Sequence, residues 1–359
     1  MDLSAINPIL LLASLMVAAT PILLAAVGEL VVERAGVLNL GVEGMMITGA
    51  VCGFIIAVAT GSPWLGFIGA AVGGAMLSLL FGLLTQFLLS NQVATGLALT
   101  LFGLGLSALM GQGYLGIRAP AFPDWHIPFL GDIPVIGPIV FQHDPMVYVG
   151  VLIVAGVWFF LNRTRAGLIL RAVGENHDAA HALGYHVRRT RMLAIMFGGA
   201  CAGLGGAYLS LVRVPQWTEG MTAGAGWIAL AIVVFASWKP IRLVLGAYLF
   251  GGVTVLQLNL QAAGAVFPLE IIPNTMLVGV ILVILLQVLN LRRQNINYWK
   301  LLMFSILCAI ISIALHGITV PFKVEYLSMS PYLATIAVLV IMSAGRAPGS
   351  LGRIFHAAR

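Results

Sequence analysis

Asn39 and Glu43 stand four residues apart in the stretch ERAGVLNLGVEGMMITGA (33–50), among glycines 36, 41, 44 and 49. Side chains four apart share one helix face. A carboxylate inside apolar surroundings costs about 3 kcal/mol unless it meets a cavity or a partner. Two chemistries fit it. Either Glu43 lines a path for a solute, or it caps backbone where the glycines break the helix. A second polar stretch, PQWTEGMTAGAGWIALA (215–231), offers Glu219, Thr222, Gly224, Gly226 and Trp227. Trp227 suits stacking on a planar or sugar ligand, or a place in an interfacial aromatic belt. Asn91, Gln92, Thr95 and Thr100 mark a third, as ligand contacts or as helix-packing glue. Residues of these types hold a neutral, hydroxylated solute weakly, and none is placed to make or break a bond, so no catalytic residue is assigned.

Several chemistries are excluded. The three lysines, Lys239, Lys300 and Lys323, precede Pro, Leu and Val. No GxxxxGK[ST] loop exists, so the chain carries no ATPase of its own. The cysteines Cys52, Cys201 and Cys308 lie in separate apolar runs without metal-ligand spacing and read as packing residues. No HExxH or GxSxG motif is present. No metal site or cofactor is expected.

The elements that position these residues are membrane spans. The chain has 359 residues, 60% of them hydrophobic and 8% charged. Soluble domains carry roughly 25% charged residues, so this is a single polytopic membrane domain. The expected fold class is all-α, a transmembrane helical bundle of about nine to eleven spans, some broken or re-entrant. Apolar segments fall near 8–28, 36–60, 63–89, 91–111, 145–162, 191–213, 221–238, 241–262, 270–291, 300–320 and 329–344. The N-terminus lacks a basic region and reads as a retained first span. The net charge of +6 comes from arginines gathered at one face and is no signal for nucleic acid.

Those arginines set the expected orientation. The loop 162–191 holds six of the eighteen Lys and Arg residues and is expected in the cytoplasm. Alternation then places Arg34, Lys239, Arg242, Arg292, Arg293, Lys300, Arg346, Arg353 and Arg359 on the same side. The loop 112–144 falls outside, rich in Pro, Gly and aromatics. It is either a connector or a docking surface for an external partner.

Within GENHDAAHALGYHV (174–187), Asn176 suits a helix N-cap and Gly184 a C-terminal stop. Glu175 and Asp178 sit at the positive end of that short helix. So small a helix needs a partner or the membrane surface. An internal repeat is also expected. Glu43-Gly44-Met45 recurs as Glu219-Gly220-Met221, and Gly69–Gly74 is echoed at 246–252.

The segment Asp178-Ala179-Ala180, followed after three residues by Gly184, resembles the E-A-A-x-x-x-G coupling loop of permease subunits of bacterial ABC importers. GELVVERAGVLNLGVEGMMITGA (28–50) and EGMTAGAGWIALAIVVFASWKP (219–240) are similar to the permeases of the branched-chain amino acid, ribose and simple-sugar class. Nucleoside permeases are the nearest kind. The likeness covers about 8–270 and 328–355. The resemblance implies that Glu175, Asp178, Ala179, Ala180 and Gly184 insert into a cleft of the ATPase. The chain departs from the family at about 273–327, an insertion with two apolar segments between QLNLQAAGAVFP and PYLAT.

The resulting expectation is the permease subunit of an ATP-driven importer in a bacterial inner membrane. Asn39, Glu43, Asn91, Gln92, Thr95, Glu219, Thr222 and Trp227 are the expected translocation path. Its partners would be a cytoplasmic ABC ATPase, a second related permease, an external binding protein or lipoprotein, and membrane lipid. Nucleosides are the expected cargo, with ribose or another simple sugar as the alternative. An ion-coupled carrier using Glu43 or Glu219 is the rival mechanism.

Overall fold

Apolar sequence without water must satisfy its backbone internally, which selects helices. The computed structural model describes residues 8–123, 125–126, 131, 133–134, 136–262, 266–268, 274, 298–315, 319–321, 329–331, 333, 336 and 347–356. The chain divides into one unit of residues 6–256 with 331–359 and another of 1–5 with 257–330.

In the larger unit the long helices are α1 (Pro8–Arg34), α2 (Val42–Thr60), α3 (Pro63–Gly82) and α4 (Gln92–Gly111). They are followed by α5 (Pro145–Arg163), the short α6 (Arg165–Glu175) and α7 (His177–Ala182), then α8 (Val187–Tyr208). α9 (Ala225–Phe235) and α10 (Pro240–Ala262) complete the series. Local chemistry starts these helices where they start. Pro63 and Pro145 occupy first-turn positions where no amide is needed. Asn91, Asp144, Thr164 and Asn176 accept from the orphan amides of α4, α5, α6 and α7.

Among the described residues seven helical stretches are long and apolar enough to cross a membrane. The segment at 221–238 has the form of the broken or re-entrant crossings expected from the sequence: residues 214–224 are non-helical and α9 has only 11 residues. Eleven residues rise about 16 Å, half a hydrocarbon core. The expected spans at 270–291 and most of 329–344 lie outside the described residues, as does much of the 273–327 insertion. In the smaller unit a helix, α11 (Tyr298–Ala314), covers part of the segment expected at 300–320. There Val266–Pro268 pairs antiparallel with Thr319–Pro321.

The core of the larger unit is built from α1, α2, α3 and α8. Small residues let their backbones touch. A Cβ placed on Gly74 would overlap the backbone of Gly199 and Gly203, and one on Gly49 would overlap Gly203. Cys201 is buried against Gly28, in agreement with a packing role.

At one end of this unit the loop after α4 meets the segment after α8. Leu115 bridges Trp217, Arg118 bridges Gln216, and the Ala119 amide donates to Pro215 O at 3.0 Å. Phe122 packs on Trp64 and Phe67. Asp144 starts α5 there, accepting a 2.6 Å hydrogen bond from the Tyr208 hydroxyl. The arginine-rich end carries α6, α7 and the termini of α1, α5 and α10. Glu43 and Glu219, matched in the expected repeat, sit in unlike surroundings: Glu43 is buried in the first turn of α2, Glu219 exposed in the segment before α9.

Candidate functional site

After Arg34 the chain turns at Gly36 and runs non-helically over 35–41. Its Asn39 amide reaches the Glu29 carboxylate at 3.4 Å, about 7 Å back along α1. The segment therefore re-enters the bundle, and its backbone groups need partners there. Side chains of α4 supply them. Gln92 Oε1 accepts from the Leu38 amide at 2.8 Å, and the Thr100 hydroxyl donates to Leu40 O at 3.1 Å. Asn39 Oδ1 takes the Gly41 amide at 3.0 Å. α2 then begins inside the bundle, with Glu43 only 4% exposed in its first turn.

The same carboxylate starts α9. Thr222 Oγ1 donates to Glu43 Oε1 at 2.5 Å, the Gly224 amide donates to Oε1 at 3.0 Å, and the Gly226 amide to Oε2 at 2.7 Å. An N-terminal helix end bears partial positive charge, so a carboxylate there is stabilised. Half-helices that point such ends at anionic groups near mid-membrane are a transporter device. Gly226 permits the approach: a Cβ there would lie 2.6 Å from the Glu43 backbone. The far end of α9 is fixed too. Trp238 Nε1 donates to Glu33 Oε2 at 2.5 Å, and Arg34 donates to Trp238 O at 2.7 Å. The half-helix is thus held by α2 at one end and α1 at the other.

The structure gathers Asn39, Glu43, Gln92 and Thr222 into this buried junction. The other expected path residues lie outside it. Asn91 caps α4, Thr95 shares a 2.9 Å hydrogen bond with Ser90, Glu219 is exposed, and Trp227 is 38% exposed. Sequence reasoning missed Glu29 and Glu33, both buried on α1, and Trp238. The rule that singled out Glu43, a carboxylate in apolar sequence, applies equally to Glu29 and Glu33.

At the arginine-rich end, α7 is built as expected. Asn176 Oδ1 accepts from the Ala179 amide at 3.0 Å, and Gly184 closes the helix at φ +86°. Asp178 has a side chain 78% exposed and Leu183 is 76% exposed. Glu175, Ala179 and Gly184 are exposed as well, whereas Ala180 turns inward against Val173, Val187 and Phe355.

Beneath α7 lies Arg191, 0% exposed, which ties three segments together. It donates to Ala35 O at 3.2 Å, to Arg353 O at 3.0 Å, and to His177 Nδ1 at 3.2 Å. That bond requires His177 to be neutral, with its proton on Nε2. Burial first, then the Arg191 charge, lowers the His177 pKa from 6.5, and Asp178 offsets part of this. The C-terminal segment joins the cluster: Ser350 Oγ takes the His177 amide at 3.1 Å, and Phe355 packs edge-on to His177 and His181. No signal in the sequence distinguished Arg191 from the other arginines of the loop. Among the described residues no group of His, Cys, Asp and Glu could hold a metal ion.

Residues 11–289 match the family described as branched-chain amino acid transport system / permease component. A putative glucose ABC transporter permease of Haloferax volcanii is 46% identical over 74% of this chain and 80% of its own length. A guanosine ABC transporter permease of Bacillus subtilis is 35% identical over 76% and 88%. A nucleoside ABC transporter permease of Lactococcus lactis is 29% identical over 81% and 97%. No solved structure matches the chain.

Proposed function

Because this chain belongs to the branched-chain amino acid transport system / permease component family, we propose that it forms the import path for nucleosides, driven by a separate ATPase docked on α7. The coarser statement needs no proposal. The chain is a multi-pass ABC permease of the sugar and nucleoside class, a membrane subunit and not an enzyme.

The observation that carries the coupling assignment is the geometry of α7. It is capped at both ends, offers Asp178, Ala179, Leu183 and Gly184 outward, and is rooted through Arg191 in the α1–α2 link. A push on α7 would reach residues 35–41, and through them Glu43 and the start of α9. ATP binding by the paired ATPases would close them and switch the permease pair from inward to outward facing, and hydrolysis would reset it. An external binding protein or lipoprotein would deliver the solute, and a second related permease would complete the pore. In this reading Asn39, Glu43, Gln92 and Thr222 shape the path by holding the two broken helices, and Thr95, Asn91, Glu219 and Trp227 are its outlying polar contacts.

Nucleoside as cargo is supported by the guanosine and nucleoside permeases among the relatives. A specific observation favours a second reading, a sugar: the glucose permease relative is 46% identical. Uptake by the reconstituted transporter, with labelled guanosine and glucose in competition, separates the two. The coupling assignment is tested by Gly184→Arg. The arginine has open space around it but must take the φ +86° of the turn, at a cost of about 1–2 kcal/mol confined to an exposed loop, so membrane insertion should survive while ATPase binding and uptake are lost. Normal uptake by the variant would remove α7 from the mechanism.

A further inference from the structure

Between the ends of α1, α5, α6 and α10 lies a cleft of about 480 Å³ that this mechanism does not use. Arg34, Arg171, Lys239 and Arg242 line it with Trp158 and Asn162, and no carboxylate is among its lining residues. The opening turn of α10, Pro240 to Arg242, forms part of its wall. The first amides of a helix have no partner in its own ladder, and they carry the positive end of its dipole. Leu243 is the first α10 amide bonded to backbone in this turn, at 3.0 Å from Lys239 O. Arg171 adds a buried Nε that has no hydrogen-bond partner. Four cations and a helix N-terminus therefore surround one space, and the one carboxylate that acts on them, Glu175 beside Arg34, stands outside its wall.

We propose that this cleft binds the phosphate headgroup of an anionic phospholipid. Phosphate oxygens match both guanidinium donors and helix-end amides. The surroundings favour a lipid over a free oxyanion. Ile241, Leu245 and Leu249 recur every fourth residue along α10, all exposed, and form an apolar stripe leading away from the cleft. An acyl chain would lie along that stripe. Trp158, part-exposed at the end of α5, has the amphipathic ring that favours the membrane interface. Basic pockets between span ends are sites where anionic headgroups are held.

The test uses the purified full-length chain in neutral detergent, probed with phosphatidylglycerol, phosphatidylcholine and inorganic phosphate. The wild type should retain phosphatidylglycerol at least tenfold more tightly than phosphatidylcholine. Arg242 is exposed, so Arg242→Glu should fold, keep its Tm in phosphatidylcholine, and lose that preference. Arg171→Ala should weaken it about fivefold, the equivalent of one interfacial cation. If Arg242→Glu lowers the Tm in phosphatidylcholine, Arg242→Gln decides by the same readout. Unchanged phosphatidylglycerol retention in the folded variant overturns the proposal. So does displacement of the lipid by inorganic phosphate at equal concentration, which would assign the cleft to a soluble oxyanion. Loss of ATPase binding with lipid retention intact would assign it to a protein contact.

Discussion

The Glu43 carboxylate takes its 2.5 Å hydrogen bond from Thr222, a residue 179 positions further along the chain. This one pair joins the two places where a membrane crossing abandons the helix: the start of α2 and the start of α9. Each break leaves backbone groups inside the bundle: Glu43 answers the amides of α9, Asn39 and Gln92 answer amides of the first break, and the Thr100 hydroxyl answers its Leu40 carbonyl. The polar residues of this site hold up irregular backbone first.

Replacing Glu43 with Ala should therefore damage the fold as well as transport. It strips partners from the Thr222 hydroxyl and from two amides, and each buried polar group left unsatisfied costs about 1–3 kcal/mol. A lowered Tm and at least a tenfold loss of uptake are expected. Glu43→Gln keeps the shape and part of the bonding, so it should retain more of both. An ion-coupled carrier would behave differently, with Glu43→Gln abolishing uptake at unchanged Tm. Thermal melts and uptake assays on the two variants distinguish the cases.

Gly226→Ala tests the contact itself. The added methyl would stand 2.6 Å from Glu43 backbone and 2.9 Å from its carboxylate. α9 must move away from α2, and overpacking of this kind costs roughly 1–3 kcal/mol. Uptake should fall several-fold, and a restored rate on combining it with Thr222→Ser would not be expected. Wild-type uptake and melting in Gly226→Ala would show that α9 does not rest on α2 as described.

Much of this was legible in the sequence, unevenly. Polar side chains in apolar runs pointed to Glu43, Asn39, Gln92 and Thr222, because a polar group inside a membrane demands a reason. Asn176 and Gly184 announced α7 by cap chemistry, which is local. What escaped is non-local. That Glu43 would cap α9, and not its own helix α2, depends on the bundle bringing residue 43 to residue 226. The sequence pointed to a broken or re-entrant helix near 221–238, but not to the whole stretch 214–224 over which the helix is absent. Arg191 differs from Arg188 and Arg189 only in where α8 turns it. The outward Ala179 and inward Ala180 likewise become distinct only once α7 is seated on Phe355.

Arg191→Gln should uncouple the two ends of the transporter. The guanidinium is the side chain that links α7 to the carbonyls of Ala35 and Arg353, and glutamine cannot span all three. With the coupling role proposed for α7, ATPase binding and hydrolysis should persist while solute moved per ATP falls about tenfold. His177→Ala cuts only the α7 arm and should give a smaller loss of the same ratio. If both variants assemble and transport per ATP is unchanged, Arg191 is packing alone.

The bond between Arg191 and His177 also predicts a pH dependence with a definite sign. The folded His177 has its pKa lowered from 6.5, chiefly by burial and then by Arg191. The charged groups facing it are Arg191, Asp178 and Arg353, and Asp178 opposes the shift without cancelling it. Above 6.5 the ring is neutral in both folded and unfolded chains, and the full stability is present. As pH falls through 6.5 the unfolded chain takes up a proton that the folded one resists, so stability is lost in that direction. Below that, protonation of Nδ1 removes the acceptor for the guanidinium and sets two cations against each other. The Tm of the wild type should drop between pH 7.5 and 5.5 by more than that of His177→Asn. In that variant an amide oxygen can accept from Arg191 without titrating. Equal Tm profiles for the two proteins would show that His177 does not hold Arg191 through a neutral ring.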